Sequence, residues 1–276
     1  MNLQFFSVFR QKNNNFVFMS EMKIHGITGQ IEKIYFAEYS DRVLMLDGAC
    51  TCDVETVEIF FRKQLQRPIS DLKLVVSTHM HPDHVGAAQV LHRKFGIPTA
   101  AFHSSDKWYR GMGGFFQHFV DFSLSWFVVL KTNKLWKNLW TRRFLKPNYR
   151  LFDNNVLPFF YEWFVIHTPG HTDHDICLYN EQQKILYLGD TVIRINEKCM
   201  LPFPVVFPEK MSESLQKLAK LEIRGIIQAH GEICSNENPN NLFLELSKKT
   251  KLKLHGQFRI LNLFVKLTKR ARTNLG

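Results

Sequence analysis

The chain has 276 residues, 45% of them hydrophobic, with 36 Lys and Arg against 25 Asp and Glu, a formal net charge of +11. That length holds one substantial core and leaves no room for a second catalytic domain. No apolar run approaches the ~20 residues that a bilayer-spanning helix needs, and among the five cysteines only Cys50 and Cys52 are close in sequence, so reduced thiols are expected.

Residues 1–22 read as an N-terminal extension. Phe is scattered there among Gln and Asn, with no continuous apolar stretch before a small-residue cleavage site, which sets the expected location as cytoplasmic. Segments 31–39 and 42–46 then alternate like a hairpin, 54–66 reads as a helix and 72–77 as a buried strand. Directly after it, His79, His81, Asp83 and His84 place four nitrogen and oxygen donors in six positions. A regular strand sends successive side chains to opposite faces, whereas a loop at its end can turn them toward one point. Such donors suit zinc and related divalent ions.

Helical spacing returns over 85–95, and Pro98 marks the start of a short strand at 99–102. Residues 103–153 form an aromatic and basic insertion: Phe115, Phe119, Phe122, Trp126 and Val129 fall at helical spacing, and seven Lys or Arg with no acid lie between 131 and 150. Strands ending at Thr168, Tyr179 and Leu188, and one over 223–227, follow. Three of these lead into His171, Asp190 and His230, with Gly or Pro supplying the turn beside each. A helix is expected over 212–221 with Ser212 as N-cap. The tail, 236–276, reads as helical and carries nine Lys or Arg after Glu245 without an acid.

The His-x-His-x-Asp-His motif at 79–84, Thr-Pro-Gly-His at 168–171, Leu-Gly-Asp at 188–190, Ala-His-Gly at 229–231 and the earlier Leu46-Asp47-Gly48 resemble those of the metallo-β-lactamase superfamily, of its glyoxalase II and lactonase-like branch. The resemblance implies an α/β fold, a four-layer αβ/βα sandwich over 23–235 with a helical insertion. It implies two divalent metal ions, zinc being expected and iron or manganese suiting the same donors. His79, His81 and His171 would hold one ion and Asp83, His84 and His230 the other, with Asp190 bridging. A hydroxide between the ions would be the nucleophile, Asp83 would also shuttle a proton to the leaving group, and Asp47 would orient the metal loop from behind it. The full ligand set argues against the true β-lactamase branch.

The implied activity is cleavage of an ester-like bond (thioester, lactone or carboxylic ester) in a fairly apolar small molecule with an acyl chain, the aromatic insertion roofing the metals. His103 and Tyr109 begin the insertion, near where superfamily members place substrate-contacting groups, and His174 follows His171 closely enough to line the mouth of the site. The same ligands would equally serve a phosphodiesterase, of nuclease or phospholipid-cleaving kind, or an iron-dependent oxygenase. The basic aromatic stretches admit packing on the sandwich or in a homodimer, and peripheral contact with an anionic membrane. Nucleic acid is not an expected partner, because no binding motif accompanies them.

Overall fold

In the computed structural model the described residues are 3–4, 22–132, 137–195, 198–231 and 238–250. Period-two alternation builds the layers. In β3 (Lys33–Glu38) Ile34 and Phe36 face one way while Tyr35 and Ala37 face the other, and all four are buried, so both faces of the strand must be covered. The first sheet runs in the order β1 (Leu3–Gln4), β2 (Lys23–Thr28), β3, β4 (Val43–Met45), β5 (Leu72–Ser77), β6 (Thr99–Phe102) and β7 (Tyr149–Leu151). It is antiparallel as far as β4 and parallel from β4 onward. The second sheet comprises β8 (Val156–Leu157), β9 (Phe160–His167), β10 (Ile176–Asn180), β11 (Ile185–Tyr187) and β14 (Gly225–Ile227), with β14 parallel to β11.

Three apolar layers hold these elements. Between the sheets, Tyr35, Leu44, Leu74 and Val76 meet Trp163, Val165, Leu178 and Tyr187. Behind the first sheet, α1 (Val54–Ile59) and α2 (Pro82–Phe95) bury Val57, Ala87 and Leu91 against Ile34, Phe36 and Val75. Behind the second, α4 (Pro208–Leu218) and α5 (Pro239–Lys249) bury Met211, Leu215, Phe243 and Leu246 against Ile166, Tyr179 and Leu186. This is a four-layer αβ/βα sandwich. Each large apolar side chain so buried contributes about 1.5–3 kcal/mol relative to exposure. The remaining long helix, α3 (Gly111–Lys131), lies outside these layers against α2, and β12 (Ile193–Ile195) and β13 (Lys198–Met200) pair as a separate ribbon.

Several expectations need correction. The helix expected over 54–66 opens after Ile59 into a wider turn over Phe60–Leu65 and ends where Gln66 takes a left-handed φ of 54°. α2 begins at Pro82 rather than at residue 85, because Pro favours the first helical position and His81 is already extended ahead of it. The long helix of the insertion runs to Lys131; among the described residues 137–148 are irregular, and Leu135 and Trp136 lie outside the described residues. α4 also starts early, at Pro208, so Ser212 is interior, its hydroxyl donating to the carbonyl of Ser247. Helical structure in the tail is described for α5, which Asn238 caps by accepting from the amides of Asn240 and Asn241; residues 251–276 lie outside the described residues. Cys50, Cys52 and Cys177 are free thiols as expected, but Cys199 is disulfide-bonded.

Candidate metal centre

Every expected ligand lies just beyond the carboxyl end of a strand, the edge at which open α/β sheets place ligands. β5 leads into His79 and His81, β9 into His171, β11 into Asp190 and β14 into His230. Starting α2 at Pro82 puts Asp83 and His84 in its first turn, where the helix dipole favours the carboxylate. Gly189, at a φ of 51° that favours glycine, makes the turn that delivers Asp190.

The seven side chains meet. His81 Nδ1 lies 3.0 Å from His79 Nε2 and 3.0 Å from His171 Nε2, so three ring nitrogens converge. Nitrogens sharing one tetrahedral ion at ~2.0–2.1 Å would be separated by about 3.3 Å. Asp83, His84 and His230 form a second cluster, with Asp83 Oδ2 3.7 Å from His84 Nε2 and 3.6 Å from His230 Nε2. Asp190 stands between the two. Its Oδ2 faces His171 (3.7 Å) and His79 (4.0 Å), and its Oδ1 faces His230 (3.2 Å) and His84 (3.4 Å).

The tautomers follow from the groups behind the rings. His171 donates from Nδ1 to the carbonyl of Pro204 (2.6 Å), which leaves Nε2 as a lone pair aimed at the centre. Asp47, fully buried, organises two more. Its carboxylate accepts from the amides of Gly48 (2.9 Å) and Thr78 (3.1 Å), from Thr78 Oγ1 (2.6 Å), from His84 Nδ1 (2.7 Å) and from the Tyr187 hydroxyl (3.2 Å). Since Thr78 gives its proton to Asp47, its oxygen is free to accept from His79 Nδ1 at 3.2 Å. One carboxylate thereby turns the Nε2 lone pairs of both His79 and His84 inward.

The electrostatics fit a cation. Among the described residues, His84 Nε2 and Asp190 Oδ1 are buried and make no hydrogen bond, the kind of orphaned pair that a metal ion satisfies. Burial opposes charge on His84, yet Asp190, Asp47, Glu32 and Asp83 around it override burial and hold its pKa well above the usual imidazole range. Burial likewise opposes charge on Asp190, and His230 and His84 hold it well below the carboxylate range. His79 is pushed well below its ordinary value, by burial first and then by His84 and His81, and is a neutral donor.

Two carboxylates that the motifs do not announce complete the surroundings. Asp121, on the inner face of α3, has Oδ2 3.4 Å from His81 Nε2, and accepts from Trp108 Nε1 (3.2 Å), the Tyr109 hydroxyl (3.0 Å) and Gln117 Nε2 (2.6 Å). Burial would raise its pKa, but His81 and these donors hold it below the ordinary value. Its signal was present in the sequence: it is the one acid between Asp106 and Asp153, in the middle of an apolar helix. Glu32 is buried with Oε2 3.2 Å from His84 Nδ1, and burial pushes its carboxyl well above the usual range. Nothing in its surrounding sequence marks it.

The three expected substrate contacts sit differently. Tyr109 is buried and its hydroxyl is given to Asp121, while His174 accepts the Met80 amide at Nε2 (3.1 Å) and so donates from Nδ1 to Asp173 (2.8 Å). Neither offers a free polar group to a bound molecule; both brace the loop or helix behind His81. His103 is half-buried and stacks on Phe152 with ring centroids 4.6 Å apart. The insertion reaches the centre through Asp121 and not through its phenylalanines, of which Phe115, Phe116, Phe119 and Phe127 are exposed and Phe122 packs beside Val129 and Leu139.

A four-layer sandwich with a histidine and aspartate centre at its strand ends is built to hold metal, and its relatives make it a metal-dependent hydrolase. Residues 27–230 match the model of the metallo-beta-lactamase superfamily, and the chain belongs to that superfamily. It is 24% identical over 242 residues to the probable metallo-hydrolase YflN of Bacillus subtilis, covering 82% of this chain and 90% of the relative. It is 26% identical over 161 residues to the acyl-coenzyme A thioesterase MBLAC2 of Gallus gallus, matching about half of that protein's length, 53%. The fold also matches an archaeal superfamily protein from Sulfolobus tokodaii (TM-score 0.59, 17% identity, 91% of this chain and 98% of that one). It matches the DIM-1 metallo-beta-lactamase as well (TM-score 0.58, 18% identity, 83% and 94%).

Proposed function

We propose that the protein is a dinuclear hydrolase, with zinc as its ions, that cleaves an ester-like bond, a thioester, lactone or carboxylic ester, in a small acyl substrate. The observation that carries two ions rather than one is Asp190, which turns one oxygen to the His79 and His171 side and the other to the His84 and His230 side. Bound there, a pair of divalent ions supplies an acidified water and electrostatic stabilisation of negative charge developing at the carbonyl. The chain's residues do the rest. Asp47 and the Pro204 carbonyl fix the imidazole lone pairs, Asp121 holds His81 from behind, and Asp83, with a side chain only 12% exposed, is the carboxylate beside the centre through which a proton would pass to the departing alkoxide or thiolate.

Preference for an acyl substrate is supported by the likeness to an acyl-coenzyme A thioesterase. The test is the initial rate of zinc-loaded protein on matched chromogenic thioesters, esters and lactones of increasing acyl length, beside a phosphodiester. Turnover that rises with acyl length supports the reading. Turnover of the phosphodiester alone replaces it with phosphodiesterase chemistry.

A further inference from the structure

The inner face of α3 is polar around Asp121 and apolar toward its end, where Phe122, Trp126 and Val129 pack with Leu139, and its outer face is apolar. Gln117, His118, Asp121 and Ser125 lie on its buried face, while Met112, Phe116, Phe119, Phe127 and Leu130, spaced along the opposite face, are each 53–66% exposed. Ser123 is the one polar residue in that outer stripe, and the helix carries no charged side chain besides the buried Asp121 and Lys131 at its end. At 1.5 Å per residue the stripe runs along a helix about 30 Å long. An apolar face of this length, interrupted by Ser123 alone, marks an interaction surface on a folded protein.

The rim identifies the occupant. Arg143 lies with its guanidinium 5.4 Å from the centre of the Phe115 ring at one end of the stripe, and Lys131 Nζ lies 5.4 Å from the Phe127 ring at the other. Lys137, Arg142, Lys146 and Arg150 are exposed nearby in sequence, Trp140 is 60% exposed among them, and no acid lies between residues 131 and 150. Cations whose stems lie along rings while their heads remain in water are arranged as in helices that rest in a lipid interface. A second copy of this chain would bring cation against cation in a symmetric contact. The chain's own residues 251–276 are also basic and contain no acid, so they offer no complement either. Among the described residues no helix is long and apolar enough to cross a membrane, which leaves contact with its surface.

We infer that the outer face of α3 docks on an anionic phospholipid surface, with the phenylalanines entering the headgroup layer and the Lys and Arg rim facing the lipid phosphates. This places a membrane one helix away from His81, because Asp121 on the inner face of the same helix contacts that ligand. The inference does not depend on which bond the centre cleaves.

The test is co-sedimentation of the full chain with vesicles of phosphatidylcholine and phosphatidylserine, against phosphatidylcholine alone, at low and high salt. Wild type should bind the anionic vesicles at low salt and dissociate as salt screens the rim. The double variant Phe116→Ser, Phe119→Ser should lose about tenfold or more in partitioning, and Arg143→Glu, which removes no buried group, should lose the preference for anionic lipid. Absence of wild-type binding at low salt would overturn the inference. So would undiminished binding by both variants, or a lipid-free dimer by light scattering that Phe119→Ser converts to monomer.

Discussion

α2 and α3 both reach the metal centre, and they are built with opposite polarity. α2 buries Val85, Ala87, Ala88 and Leu91 and leaves Arg93 and Lys94 in water; α3 buries Gln117, His118 and Asp121 and leaves phenylalanines in water. The first helix is part of the sandwich and brings its ligands with it, so Asp83 and His84 are fixed by the same packing that forms the core. The second is an addition that supports a ligand it does not carry. Residues that build a site through the core should therefore matter both to activity and to folding, and residues of the insertion should separate the two.

The largest effect is expected at His84. His84→Ala should lower kcat/KM by about a thousandfold, roughly 4 kcal/mol of transition-state stabilisation, with loss of one metal equivalent by elemental analysis. Full activity in a variant verified to lack that equivalent would separate the α2 cluster from the chemistry. Next is Asp47→Asn, which leaves one oxygen where five hydrogen bonds are now accepted. Metal affinity should drop by about 10–100-fold in a competitive chelator titration. Asp121→Asn probes the α3 side and should cost about tenfold, the lower end of the same range, with unchanged affinity meaning that His81 is held by the loop alone. Gly48→Ala breaks the comparison from the fold side, since a Cβ there would collide with the carbonyl of His84; a loss of about 1–3 kcal/mol in denaturant unfolding is expected. The smallest effect belongs to Phe119→Ser on the outer face of α3, where stability should stay within about 0.5 kcal/mol and turnover of a soluble short-chain ester should not change.

The strands before the ligands were open to reading because each is a short apolar run with a clear stop. Leu72–Ser77 and Thr99–Phe102 have the bounds that their residues suggest. The seven donors stood out for a chemical reason, since His and Asp have little to gain from crowding at strand ends unless something binds there. Polarity inversion defeated the same logic in α3. Phenylalanines at helical spacing normally mark the packed face, but here Phe122 packs while Phe115 and Phe119 do not, because the buried side is fixed by Asp121 through contacts with residues 81, 108, 109 and 117; its one sign in the sequence was a lone acid in an apolar helix. Glu32 was hidden for a related reason: its importance lies in 0% side-chain exposure next to His84, 52 positions away, and not in its neighbours.

Tyr187 belongs to the second sheet, whereas Asp47, Thr78 and His84 belong to the first sheet and its helix. The carboxylate of Asp47 is thus a rivet through both halves of the sandwich as well as a support for two imidazoles. Ion occupancy and the closure of the two sheets then share one thermodynamic cycle. Each tenfold rise in free metal above its dissociation constant should add about 1.4 kcal/mol per bound ion to the unfolding free energy, and cutting the Tyr187 link, as in Tyr187→Phe, should move the onset of that dependence to higher metal concentration without removing a ligand.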